Sequence, residues 1–246
     1  MLQLGLLVFL GGFIDSIAGG GGLISLPAYI LTGMPIHMAL GSNKFSSAFG
    51  TAFSTFNFLR NKRVYIKAIP ISVICALVGS AAGAYVALLV SDEVLRWILI
   101  GIVPVVAVFV LIKKDFGKED RSDTLSTRII LIGAGSAALG IGFYDGFFGP
   151  GTGTFLIFAF ALALRFDLVT ANGNSKIINL SSNIGSLVMF LINGQVLFAL
   201  AIPAAIFGVA GNLIGSTVAI KKGAKIIKPI LVLVLVILLI NIIING

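Results

Sequence analysis

Two carboxylates inside apolar segments, each followed by a run of glycines, are where this chain could do chemistry. Asp15 precedes Gly19-Gly20-Gly21-Gly22, and Asp145 precedes Gly149-Pro150-Gly151-Thr152-Gly153-Thr154. Both stretches read Phe-x-Asp (Phe13, Phe143), then a break, then a short apolar run. A glycine run in a lipid-facing segment lets the backbone leave the helical path and present its N–H groups. The helix that restarts has unsatisfied N–H groups and partial positive charge at its first turn. A glycine-lined helix start is therefore a candidate anion site. The competing reading is that these glycines only allow tight packing.

Lys44 and Lys176 are the sharpest single residues. Each lies about 7 positions into an apolar span, roughly 10 Å below its end, and charge at that depth is costly and tends to be functional. Each has Asn and Ser just before it: Ser42-Asn43-Lys44 and Asn174-Ser175-Lys176. With Asn43 and Asn174 as donors, the lysines would neutralise an anion held at the helix starts; the alternative is that their stems snorkel to the interface. Asp15 and Asp145 read either as structural ion-pair partners of these lysines or as proton carriers whose pKa burial would raise. The polar residues after each lysine, among them Ser46, Ser47, Thr51, Asn179 and Asn183, carry less weight: they bond neighbouring helices or line a pathway. His37 and Trp97 read as interface residues.

Composition places these residues in a membrane. Of 246 residues, 58% are hydrophobic and only 11% charged, against about 25% charged in a soluble domain. The N-terminus has no basic region and no evident cleavage site, so it is expected to be a mature segment. Cys75 is the only cysteine and His37 the only histidine; disulfides are excluded, and no metal site or cofactor is expected. The net charge of +8 collects in loops flanking apolar spans, which argues against nucleic acid as a partner.

Stepping along the chain gives two copies of one plan. Residues 2–16 lead into the first break, 23–33 form a short apolar run, and 37–59, 68–90 and 94–112 are spans. Residues 128–146 lead into the second break, 154–164 form the short run, and 170–192, 197–220 and 229–244 are spans. The halves, 1–112 and 129–246, are joined by a polar linker, 113–128. Gly41-Ser42-Asn43-Lys44 matches Gly173-Asn174-Ser175-Lys176, Ile69-Pro70 matches Ile202-Pro203, and Gly79-x-x-x-Gly83 matches Gly211-x-x-x-Gly215. Short basic loops stay cytoplasmic, which puts 60–67, 113–128 and 221–228 inside. The basic loop 60–67 matches the uncharged turn 193–195, and the acidic turn 91–93 matches the basic loop 221–228. The expected fold is an all-α polytopic membrane protein of two inverted-topology repeats. Each repeat is a glycine-broken re-entrant helical hairpin plus three transmembrane helices, with both termini outside.

Gly12-Phe13-Ile14-Asp15-Ser16-Ile17-Ala18-Gly19-Gly20-Gly21-Gly22-Leu23-Ile24-Ser25-Leu26-Pro27 and Ala39-Leu40-Gly41-Ser42-Asn43-Lys44-Phe45-Ser46-Ser47 resemble the sulfite exporter TauE/SafE family. The second-half motifs match more loosely. The resemblance implies a prokaryotic cytoplasmic-membrane transporter of sulfur-containing anions such as sulfite, sulfoacetate or other organosulfonates. It carries Asn43, Lys44, the glycine breaks and, by repeat, Asn174 and Lys176 as substrate contacts. The expected activity is secondary export of a small oxyanion by alternating access, with the lipid bilayer and the anion as partners and a homodimer compatible with it. No Gly-x-x-x-x-Gly-Lys-Ser/Thr stretch is present to bind ATP, and no nucleophile–base pair suggests an enzyme. An anion channel, an importer of sulfate or thiosulfate, and a non-transporting membrane subunit are the rival readings.

Overall fold

The computed structural model describes residues 1–91, 93–94 and 117–233. The expected span at 94–112, with Trp97, and most of the span at 229–244 lie outside them. The first half contains α1 (Leu2–Ala18), α2 (Gly22–Ile30), α3 (Ile36–Arg60) and α4 (Ile69–Leu89). The second contains α5 (Thr127–Phe147), α6 (Thr152–Phe158), α7 (Leu168–Ile192) and α8 (Phe198–Lys222). A π turn, Ala159–Ala163, continues α6. Among the described residues there is no strand. Among the described residues, four helices are long and apolar enough to cross a membrane: Ile66–Leu89, Thr127–Phe147, Leu168–Ile192 and Phe198–Lys222. The 25-residue α3 equals α7 and α8 in length, but its Ser-, Thr- and Asn-rich run keeps its mean hydropathy low.

The halves do not fold as separate bodies; they interlock. The close-approach glycines show how. A Cβ at Gly79 or Gly83 of α4 would lie 2.3 Å from Leu139 O or 2.0 Å from Phe143 O of α5. A Cβ at Gly211 or Gly215 of α8 would lie 2.1 Å from Phe9 O or 2.4 Å from Phe13 O of α1. Each Gly-x-x-x-Gly thus lets a long helix of one half, α4 or α8, press against the backbone of the first helix of the other.

The turns after α3 and α7 repeat each other bond for bond. Arg63 N donates to Phe58 O (3.0 Å) and Gln195 N to Phe190 O (2.8 Å), the six-to-one bond that closes a helix C-terminus around a left-handed residue. That residue is Lys62 (φ 56°) in the first turn and Gly194 (φ 67°) in the second. Both turns are clasped from across the molecule. Ser42 Oγ accepts from Leu197 N (3.0 Å), and Asn174 Oδ1 accepts from Tyr65 N (3.2 Å). The linker is held the same way: Leu168 N donates to Gly117 O, Arg121 N donates to Arg165 O, and Arg165 Nη1 donates to Thr124 Oγ1 (3.0 Å). Asp167 caps α7, accepting from Val169 N (2.9 Å) and Thr170 N (3.2 Å).

Candidate functional site

The two glycine breaks meet in the middle of the bundle. Gly19 (φ 78°) and Gly149 (φ 99°) carry the left-handed bends that end α1 and α5. Their neighbours touch directly: a Cβ on Gly153 would lie 2.5 Å from Gly19 Cα. After the first break α2 lies against α1, with a Cβ on Gly11 3.0 Å from Gly21 O and 3.2 Å from Ser25 Cβ.

Both lysines are paired across the repeat. Lys44 Nζ of α3 lies 2.8 Å from Asp145 Oδ1 of α5. Lys176 Nζ of α7 lies 2.7 Å from Asp15 Oδ2 of α1 and donates to Asp15 O at 2.6 Å. Lys44 is 3% exposed and Lys176 fully buried, so neither stem reaches an interface. The four charges cancel in place. Asp145 is the more enclosed carboxylate, with 3% of its side chain exposed against 16% for Asp15, and it also accepts from the Ser182 hydroxyl.

A cavity of about 40 Å³ lies beside these pairs, among α1, α2, α3, α5, α6, α7 and α8. It gathers Asp15, Gly19, Gly21, Gly22, Asn43, Lys44, Asp145, Gly149 and Gly153 from the residues singled out in the sequence. Ser25, Ser46, Ser47, Thr51, Thr152, Asn179, Asn183 and Asn212 complete its polar wall. Thr51 Oγ1 and Asn183 Nδ2 both approach Asn179 Oδ1 at 3.4 Å. The start of α2 opens on this space. Gly21 O is taken by Ser25 N (3.0 Å) and Ser25 Oγ (3.1 Å), whereas the Gly21 and Gly22 N–H groups have no acceptor among the described residues. Amide and hydroxyl groups around a helix start can hold an anion without a free cation.

Five singled-out residues lie elsewhere. Gly20, Gly151, Thr154, Asn174 and Lys176 are not on the cavity wall. Asn174 spends its oxygen on the Tyr65 turn and its nitrogen on Thr170 O (2.8 Å). Thr154 closes the second break onto the first: its Oγ1 donates to Ala18 O (2.8 Å) and its N to Gly19 O (3.3 Å). Both helix starts border the cavity, α2 through Gly21 and Gly22 and α6 through Thr152 and Gly153; they differ in that the Thr154 N–H of α6 is taken by Gly19 O of the first break. Asn212, absent from the sequence-based candidates, enters the wall from α8. The only signal for it was a lone amide between Gly211 and Gly215 in an apolar span.

Apolar, membrane-long helices around a small buried polar chamber define a multi-pass membrane protein. The family model described as sulfite exporter TauE/SafE matches residues 4–242. The chain belongs to the TauE/SafE family of membrane transporters. It is 37% identical over 236 residues to the probable membrane transporter protein YfcA of Escherichia coli (strain K12), covering 95% of this chain and 87% of that one. It is 37% identical over 227 residues to the probable membrane transporter protein ORF9 of Sinorhizobium sp, covering 92% and 85%. It is 35% identical over 225 residues to a probable membrane transporter protein of Haemophilus influenzae (strain ATCC 51907 / DSM 11121 / KW20 / Rd), covering 92% and 87%. No solved structure matches it.

Proposed function

We propose that this transporter exports a small sulfur-containing oxyanion, sulfite or an organosulfonate, across the prokaryotic cytoplasmic membrane by alternating access. The observation that carries this reading is the buried cavity where the two breaks meet, lined by the start of α2, Asn43, Ser47, Thr51, Asn179 and Lys44. Donors without a net charge can replace the hydration of a monoanion, and they release it more easily than a bare lysine pair would. Export of an anion runs down the inside-negative potential and needs no nucleotide. An importer would use the same chamber.

The topology that serves this function is a pair of inverted repeats, 1–112 and 129–246, joined by a cytoplasmic linker, 113–128. Each would be a re-entrant hairpin (α1–α2, α5–α6) followed by three spans. Crosswise packing of α4 on α5 and α8 on α1 supports it. So does the charge on the two matching turns. Their backbone bonds are the same, yet one reads Arg60-Asn61-Lys62-Arg63 and the other Ile192-Asn193-Gly194-Gln195. The turn geometry does not demand the charge; a membrane side does. Loops 60–67, 113–128 and 221–228 would face the cytoplasm.

The test is thermal stabilisation of purified protein by sulfite, sulfoacetate, thiosulfate, sulfate and chloride, paired with counterflow in proteoliposomes. The expected outcome is stabilisation by a sulfur oxyanion and saturable flux accelerated by the same anion on the far side. Flux that never saturates would mean a channel; stabilisation by none of the anions would remove the oxyanion assignment.

A further inference from the structure

Among the buried side-chain atoms without a hydrogen-bond partner are Asn43 Oδ1 and Asn212 Oδ1, and both residues line the cavity. A buried amide oxygen left alone is unusual enough to need an explanation. Asn212 is the more informative of the two, because its orientation is fixed. Its Nδ2 donates to Gly208 O at 3.0 Å. A flipped amide would set its oxygen against that carbonyl. The chain also makes room for the side chain: a Cβ on Gly12 would lie 2.7 Å, and a Cβ on Gly50 2.5 Å, from Asn212 Nδ2. The residue is 3% exposed. Two helices thus give up side chains so that α8 can place one amide at the cavity wall, with its acceptor unused. The matching position in the first half is Ser80, whose hydroxyl donates to Leu77 O (3.3 Å).

An acceptor at the wall of an anion chamber needs a donor or a cation. The Lys44 ammonium in the same wall disfavours a second cation. With Lys44 and Lys176 each neutralised by an aspartate, a dianion would enter a site with no net charge to meet it, and burying charge there is costly. A sulfonate head offers three acceptors and no donor, so it would leave the Asn212 oxygen unmet. We infer that the bound form is a protonated monoanion, hydrogensulfite in the sulfite case, whose O–H donates to Asn212 Oδ1 while its other oxygens face Asn43, the hydroxyls and the start of α2. This inference rests on the oxyanion reading above and selects among its substrates.

The test compares hydrogensulfite with methanesulfinate, in which a methyl replaces the hydroxyl at the same charge and nearly the same size. Thermal shift and calorimetry are run in mildly acidic buffer with choline as the counter-ion, on wild type and Asn212→Ser. Wild type should favour hydrogensulfite by at least about tenfold, because a site built around a ligand hydroxyl rejects the analogue lacking it. In Asn212→Ser, which copies Ser80, the preference should collapse. Equal binding of the two anions by wild type would overturn the inference and leave oxyanion transport standing, and it needs no variant to fold. Binding that appears only when sodium replaces choline would overturn it too, since the oxygen would then be a cation ligand. If neither anion binds wild type in either buffer, the oxyanion assignment itself fails, and this inference with it.

Discussion

The cavity is lined from both halves, but several of its wall positions match, about 130 residues away, positions that are packed apolar. Val8, Gly11, Ser25, Ser46 and Gly208 border the chamber. At the repeat-related positions stand Ala138, Ile141, Phe155, Ile178 and Ala76. Ala76, Ala138 and Ile178 are fully buried in one apolar cluster, with Ile141 and Phe155 packed against it. Apart from Val8 against Ala138, the residues on the chamber side are small or polar and leave a space that water can enter, whereas their larger apolar matches fill theirs. The ion pairs show the same inequality more mildly, since both exist but Asp145 is the better buried.

That inequality gives the largest expected effect. Asp145→Ala would strand Lys44 in the interior and should cost about 3–5 kcal/mol. Asp15→Ala should cost less, since the Asp15 side chain is 16% exposed and water can reach the site. Chemical unfolding in detergent micelles measures both; equal losses would break the comparison. Replacing the enclosed pair together, Lys44→Met with Asp145→Leu, should recover most of the stability.

Exchanging the volumes comes next. Ile178→Ala empties part of the packed side and should cost about 2–4 kcal/mol. Ser46→Ile copies the packed side into the chamber. It should abolish anion-induced stabilisation while the melting temperature without ligand holds or rises. If Ser46→Ile still responds to anion, the chamber is not the binding space.

The smallest effect lies at the clasps. Ser42→Ala and Asn174→Ala each remove one acceptor from a turn N–H, from Leu197 and Tyr65 respectively. Each should cost about 1 kcal/mol, measured by unfolding, and leave the selectivity among anions unchanged. A change of selectivity in Asn174→Ala would return that residue to the substrate path.

Much of this was legible in the sequence, for a local reason. A carboxylate, a lysine or a glycine run inside an apolar segment stands out whatever surrounds it, because lipid leaves so few ways to accommodate it. The breaks, the lysines and their companions, and the order of elements repeated at an offset of about 130 residues could all be read that way. The family membership followed from the same residues. Asn174 lies off the cavity wall because Ser42-Asn43-Lys44 and Asn174-Ser175-Lys176 place their amides one residue apart. On a helix that shift turns a side chain by about 100°, from the chamber to the clasp.

Tertiary structure alone decided which lysine meets which aspartate and which of the singled-out residues line the cavity. Each depends on contacts between residues far apart in the chain. Lys44 reaches Asp145 because α3 and α5 are brought together, and Thr154 is held by the backbone of Ala18 and Gly19. The space beside Asn212 exists only because Gly12 and Gly50, on two other helices, have no side chain to fill it. Hydropathy and spacing report what one segment requires of its solvent. They say nothing of the volume left when seven helices from two halves converge on a point.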